Sequence, residues 1–317
     1  MTTTTTTPVA TRPVVDPSRL RARRLRRRRL EPFLYIAPAF VVLALIIGYP
    51  VINAAATSFT DASLMAPGQE RFVGLDNFVE LFTSASFWTV MARTLVWAGA
   101  TLSFQVGLGL VIATTLNKHL VARGLIRTTM IVPWVVPTVL VALIWRFLLD
   151  PASGPVNSIL RDTGLMENPP LWLANTSTAL PTLVLISAWK WTPFTAVILL
   201  AGMQQIPPEQ YEAAMIDGAN AWQRFRHVTV PGIRTSLALV TLTAISGAIN
   251  NFNGIWLFTR GGPVGATDIL TTLAYRTAFQ EFDFGKAAAI SMIIFLMMMV
   301  LAVLYFYVVE GRKEKKR

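Results

Sequence analysis

Polar side chains embedded in long apolar sequence are the first residues to follow in this chain of 317 residues. Lys190 lies between Trp189 and Trp191, and Asn250, Asn251 and Asn253 are followed by Trp256. Amide side chains donate to and accept from hydroxyls, and aromatic rings stack on apolar C–H faces. Asn250, Asn251, Asn253 and Trp256 are therefore candidates for contact with a polyhydroxylated solute; hydrogen bonding between helices is the competing use of the asparagines. Lys190 reads either as a cation lining the same path or as a structural salt bridge or snorkelling side chain.

A second constellation is local. Residues 204–234 read QQIPPEQYEAAMIDGANAWQRFRHVTVPGIR. Pro207 and Pro208 suit the first turn of a helix, and Glu209 and Glu212 sit near the positive end of its dipole. Tyr211, Ala214 and Met215 follow helical spacing. Gly218 is free to adopt a positive φ and stop that helix, after which Ala219–Phe225 begins another. The expected shape is helix–Gly–helix, with a small docking surface built from Tyr211, Glu212, Ala213, Ala214, Met215 and Gly218.

Several chemistries are excluded. The chain has no cysteine, hence no disulfide, thiolate or Cys-type metal site. Its only histidines, His119 and His227, are far apart, so no metal site is expected. Gly285-Lys286 lacks the upstream glycine and following Ser/Thr of a P-loop, so ATP chemistry requires another polypeptide. No nucleophile–base arrangement suggests an enzyme, and no catalytic residue is assigned. Every Asp and Glu falls in a loop or at a span edge, which disfavours an ion-driven secondary transporter with paired intramembrane carboxylates.

The elements that must position these residues follow from hydropathy. The chain is 53% hydrophobic and only 14% charged, against about 25% charged in a soluble domain. A helical span takes about 20 mostly apolar residues, and six segments qualify: Phe33–Phe59, Trp88–Leu116, Thr128–Leu149, Ala179–Met203, Thr235–Phe258 and Ala287–Val309. The fold class is all-α, a polytopic membrane protein with six transmembrane helices. Residues 1–31 form a basic, Thr- and Arg-rich tail, 32–309 the membrane domain and 310–317 a basic C-terminal tail. Lys and Arg concentrate in both tails and in the 117–127 and 204–234 loops, which places both termini in the cytoplasm. The net charge of +11 belongs to those flanks, not to a nucleic-acid-binding face. Pro50, Pro133, Pro137, Pro181 and Pro193 lie in or beside spans, either kinking helices around a cavity or reflecting the frequency of proline in membranes.

The loop resembles the Glu-Ala-Ala motif of permease subunits of ABC importers. In that family the triplet is followed by Gly after three residues and, nine further on, by Ile-x-Leu-Pro. Here Glu212, Ala213 and Ala214 precede Gly218, and Val228, Thr229, Val230 and Pro231 follow at the same spacing. FVGLDNF at Phe72–Phe78, RTTMIVPWVVPTVLVALIWRFLLDPASGPVNSIL at Arg127–Leu160 and WLFTRGGPVGATDILTTLAYRTAF at Trp256–Phe279 resemble the maltose and glycerol-phosphate branch, with Arg260 where a first glycine is more usual. The resemblance extends over about Leu34–Val309. It implies the type I importer transmembrane fold and a coupling helix that docks on a cytoplasmic ATPase through Glu212 and Gly218. It also implies a second homologous permease, two ATP-binding subunits carrying ATP and Mg, and an extracytoplasmic solute-binding protein. The implied function is import of a sugar, a di- or oligosaccharide, across the bacterial cytoplasmic membrane by alternating access, with no cofactor in this chain. Glycerol 3-phosphate or a glycerophosphodiester is the alternative cargo, for which Arg260 and Arg276 either aid an anion or are plain loop charges. A purely structural membrane subunit is disfavoured by the docking loop.

Overall fold

The computed structural model describes residues 35–118 and 122–310. The basic tails and His119 lie outside the described residues. Among those described, the regular structure is helical, with only two isolated bridges, Thr60–Phe72 and Ser63–Asp283. Contacts divide the chain into two units, residues 1–53 and 54–317.

Apolar helix α1 runs Tyr35–Thr57. Its Ala44–Gly48 turn is π-type because Pro50 has no amide proton for the carbonyl four residues earlier, so the ladder slips by one residue. Two helices follow: α2 (Asp76–Thr83) is short, and α3 (Ala85–Leu116) has 32 residues. At 1.5 Å per residue α3 is about 48 Å long, so it must tilt or project beyond a hydrocarbon core of ~30 Å. The third apolar segment is α4 (Arg123–Val135) plus α5 (Thr138–Leu148), and a short α6 (Pro155–Asp162) follows. Then come α7 (Ala179–Met203), α8 (Pro208–Ile216), α9 (Ala221–Gly232), α10 (Arg234–Ile249), α11 (Phe252–Thr259), α12 (Leu270–Phe279) and α13 (Phe284–Glu310).

Among the described residues, four helices are long and apolar enough to cross a membrane, and up to six spans result if each bent pair counts as one. Two of the expected spans therefore need correction. Thr128–Leu149 is not one helix: α4 and α5 meet at 94°. Pro137 forces Val136 into an extended conformation (ψ 128°), because the ring clashes with a helical predecessor. Thr235–Phe258 is also broken, at Asn250 and Asn251, between α10 and α11. Pro193, by contrast, is accommodated inside α7 without a break.

The second unit is organised by α3 against α7. The buried face of α3 carries Val90, Thr94, Trp97, Thr101, Gln105, Gly109, Ala113 and Leu116, a three/four stripe. With lipid as solvent, close approach of backbones replaces hydrophobic drive, so small residues mark the crossing. A Cβ on Gly109 would stand 2.7 Å from Thr195 Cγ2. Nearby, Gln105 Nε2 donates to Thr195 Oγ1 at 2.7 Å, and fully buried Trp97 donates from Nε1 to the Ala248 carbonyl at 2.9 Å. One apolar cluster, including Phe87, Leu183, Ile255, Leu270 and Ile290, occupies the end remote from the 204–234 loop. A second, including Leu116, Leu199, Met203, Ile206 and Ile233, lies at the loop end and roots it in the helices.

Candidate functional site

The 204–234 loop has the helix–Gly–helix shape expected of it. Pro208 opens α8, with Glu209 in its first turn. The helix closes on a Schellman motif: Ala219 N–H donates to Ala214 O at 2.9 Å and Gly218 N–H to Met215 O at 3.0 Å. Gly218 holds φ +75°, and nothing lies within 4 Å of where its Cβ would be. Glycine is needed here for backbone conformation, not for space. Asn220 then caps α9 reciprocally with Gln223, at 2.9 and 2.7 Å. A π-turn at Phe225–Thr229 precedes Pro231 for the same reason as in α1. A 72° bend at Ile233 leads into α10.

The candidate docking residues divide by direction. Tyr211 faces inward: it packs in the loop-end cluster, and its hydroxyl lies 3.0 Å from buried Thr229 Oγ1. Ala214 is half-buried beside it, whereas Glu212, Ala213, Met215 and Gly218 are exposed. Ile216 (87% exposed) and Trp222 (65%) extend the exposed apolar surface. Sequence reasoning missed both, although their apolar character in a charged loop was the available signal.

The asparagine cluster is the break in the fifth apolar segment, and its members point to different places. Asn251 caps α11, accepting from Gly254 N–H at 2.9 Å through Oδ1. A Cβ on Gly254 would collide with that side chain. Asn250 turns to the Ser246 carbonyl (3.0 Å) and Met298 Sδ (3.6 Å), and Asn253 is exposed. Trp256 joins an aromatic column, 5.4 Å from the Phe252 ring and 4.6 Å from Tyr275. Only Asn251 of this group borders the cavity between α3, α7 and α10, a mainly apolar space with a few polar side chains in its wall. That cavity, about 170 Å³, is also lined by Thr101, Gln105, Ser187, Trp191 and Thr243. The buried hydroxyls of Thr101 and Ser187 have no hydrogen-bond partner among the described residues. Such groups are costly unless something satisfies them, and they give the wall unused donors and acceptors. Neither was legible in the sequence, where single Thr and Ser residues in apolar runs are unremarkable.

Lys190 is buried, and its Nζ lies 2.5 Å from the Val136 carbonyl and 5.7 Å from the Trp191 ring centroid. Adjoining it is a hollow of about 20 Å³ shared with Ser187, Trp191 and Asn251, room for about one water. Arg276 is engaged by buried Asp268 and by Glu281 at 3.6 Å, so its charge is already spent within the chain. Arg260 ends α11 in the left-handed region, exposed. No group of three or more His, Asp or Glu side chains positioned for a metal occurs among the described residues.

Comparison with known proteins completes the picture. A family described as "binding-protein-dependent transport system inner membrane component" matches residues 105–314. A probable ABC transporter permease protein of Brucella suis biovar 1 is 33% identical, covering 88% of this chain and 96% of its own. The trehalose/maltose transport system permease protein MalF of Thermococcus litoralis is 32% identical, covering 89% and 94%. Among solved structures, a bacterial ABC transporter involved in the import of the acidic polysaccharide alginate superposes with a TM-score of 0.76 at 24% identity. It covers 92% of this chain and 98% of its own, which establishes a shared type I importer permease fold. With two thirds of its length matched by one family and near-complete alignment to its relatives, this chain belongs to the inner membrane components of binding-protein-dependent transport systems, the permease subunits of ABC transporters.

Proposed function

We propose that this chain is one permease subunit of an ATP-driven importer of a di- or oligosaccharide, coupled to its ATPase through α8. The observation that carries the reading is the 204–234 loop. It presents Glu212, Met215 and Ile216 outward from a short helix ended by Gly218 and Trp222 outward from the start of α9, on a base packed into the core. An exposed apolar patch on a capped, rooted loop has the character of a protein-docking site. The trehalose/maltose permease relative and the alginate importer of the same fold favour a saccharide.

The assembly would contain a second homologous permease, two ATP-binding subunits that bring ATP and Mg, and an extracytoplasmic binding protein. One solved structure of this fold, an alginate ABC transporter, is a complex with an alginate pentasaccharide-bound periplasmic protein. Both termini would lie in the cytoplasm, as the basic flanks require. Asn250, Asn251, Asn253, Trp256 and Lys190 remain the proposed path residues, with Asn251 best supported because it borders the cavity between α3, α7 and α10. That cavity, about 170 Å³, is below the ~300–1,000 Å³ of preformed ligand sites. A disaccharide would therefore need the second subunit or an opened state to complete its site. ATP-driven rigid-body motion of the two permeases would supply that change.

The test is ATP hydrolysis by the reconstituted complex with its binding protein and a panel of saccharides, glycerol 3-phosphate included. Stimulation by one loaded saccharide is expected. Stimulation by glycerol 3-phosphate alone would replace the cargo, and indifference to every compound would refute the importer reading.

A further inference from the structure

Lys190 is the one buried lysine among the described residues, and no carboxylate lies within ion-pair distance of it. Its partner is a backbone carbonyl at the 94° break between α4 and α5. Such a break in lipid creates a problem that hydrocarbon cannot solve: the last carbonyls of α4 lose their helical donors and carry the negative end of the dipole. Pro137 adds to it by supplying no amide proton. An ammonium is the complementary group, with charge of the right sign and three N–H donors.

The surroundings place it with some redundancy. Trp134 of α4 stacks on Phe194 of α7, with ring centroids 5.3 Å apart. Trp145 of α5 meets Trp189 of α7 edge-on at 5.5 Å. Lys190 lies between those two α7 residues and reaches Val136 itself at 2.5 Å. One continuous helix therefore grips both arms of a bent one and caps the corner between them. The first turn of α5, through Thr138 and Val141, then faces Asn251, Ser187 and Trp191 across the small hollow.

We propose that Lys190 is a positioning residue: its ammonium caps the Val136 carbonyl, holds the α4–α5 break and thereby fixes the wall that α5 gives the small hollow beside Ser187, Trp191 and Asn251, three residues that also line the larger cavity. Trp134 and Trp145 set the two arms, and Lys190 sets the angle between them. The consequence for transport rests on reading Ser187, Trp191 and Asn251, which border that hollow, as part of the solute path. The clasp itself does not, so the two are separable by experiment.

The chain has no cysteine of its own, so spin labels can be placed on cysteines replacing Leu125 of α4 and Ile144 of α5, which are 70% and 50% exposed. Distances across the break are measured in the assembled transporter in lipid nanodiscs, together with solute uptake. Lys190→Met, close in shape but without donors, is expected to broaden the distance distribution about twofold or more. It should also slow uptake about tenfold, the scale of one lost charge-assisted hydrogen bond. Lys190→Arg should restore both. In a Pro137→Ala background, where the helix can continue and satisfy its own carbonyls, Lys190→Met should change the distribution little. Equal broadening in both backgrounds, or a Lys190→Met distribution identical to that of the unmodified chain, would overturn the proposal. A broadened distribution with normal uptake would support the clasp and refute the path reading of the hollow.

Discussion

Gly218→Val is expected to abolish solute-stimulated ATP hydrolysis while leaving the membrane-embedded helices intact. Gly218 closes α8 at φ +75°, where an L-side chain costs about 1–2 kcal/mol, a factor of roughly 5–30 in an equilibrium, and a β-branched one is a still stronger outlier. That cost falls on the Schellman closure, so the second half of the loop would leave at the wrong angle and α8 would present Glu212 and Met215 in the wrong direction. The informative result is the order within a series. Because no atom of this chain lies within 4 Å, volume inside the chain is irrelevant. Asn tolerates the left-handed region better than Ala despite being larger, so Gly218→Asn should retain more coupling than Gly218→Ala, and Gly218→Val least. Activities measured on complexes that still bind the ATPase would establish that order. A ranking by side-chain size would mean that Gly218 is pressed against the partner, and the backbone account would fail.

Asn251 carries the second large effect, and its two jobs are separable. Its Oδ1 caps α11 at Gly254 N–H, whereas its place at the cavity gives its amide a use in solute contact. Asn251→Ala loses both, at a capping cost of ~0.5–2 kcal/mol. Asn251→Ser keeps a capping oxygen but removes the amide donors. The melting temperature of the purified complex should fall with Ala and recover with Ser. Uptake should fall about tenfold or more with either, the scale of a hydrogen bond lost between buried partners. If Ser restored uptake as fully as thermal stability, Asn251 would be a helix cap and nothing more.

These two sites differ in how far the sequence exposes them. The loop was legible because its determinants are local: Pro207 and Pro208 start a helix, Gly218 stops it, and the spacing to Pro231 is fixed along the chain. The direction of its faces was not. Helical spacing groups Tyr211 with Met215, but only the packing of Ile206, Ile233 and Thr229 beneath decides that Tyr211 turns inward and Met215 outward. Hydropathy likewise located the apolar segments, yet averaging over a window conceals a break. Pro137 hinted at one. Asn250 and Asn251 read as candidate solute-facing amides, and nothing in the apolar pattern around them announces that one helix ends and the next begins there.

The cavity was least legible. Thr101, Gln105 and Ser187 come from helices separated along the chain and acquire meaning only where α3 and α7 cross. Lys190 illustrates the same limit. Its charge was conspicuous in the sequence, but its partner is a carbonyl, and no side-chain pattern advertises which carbonyl a helix break will leave open. Sequence patterns encode what a residue can do locally; which of those capacities is used depends on the neighbour that folding supplies.

Cross-linking tests the central claim, that the 204–234 loop docks the ATPase, most directly. A single cysteine is introduced in place of Ile216, 87% exposed on α8, or in place of Val264, 95% exposed beyond α11. Each full-length variant is assembled with its partner subunits and treated with a short reagent joining cysteine to lysine. The docking account predicts that the ATPase subunit is captured from position 216 and not from position 264. Capture from position 264, or from neither position in an assembled and active complex, would contradict it.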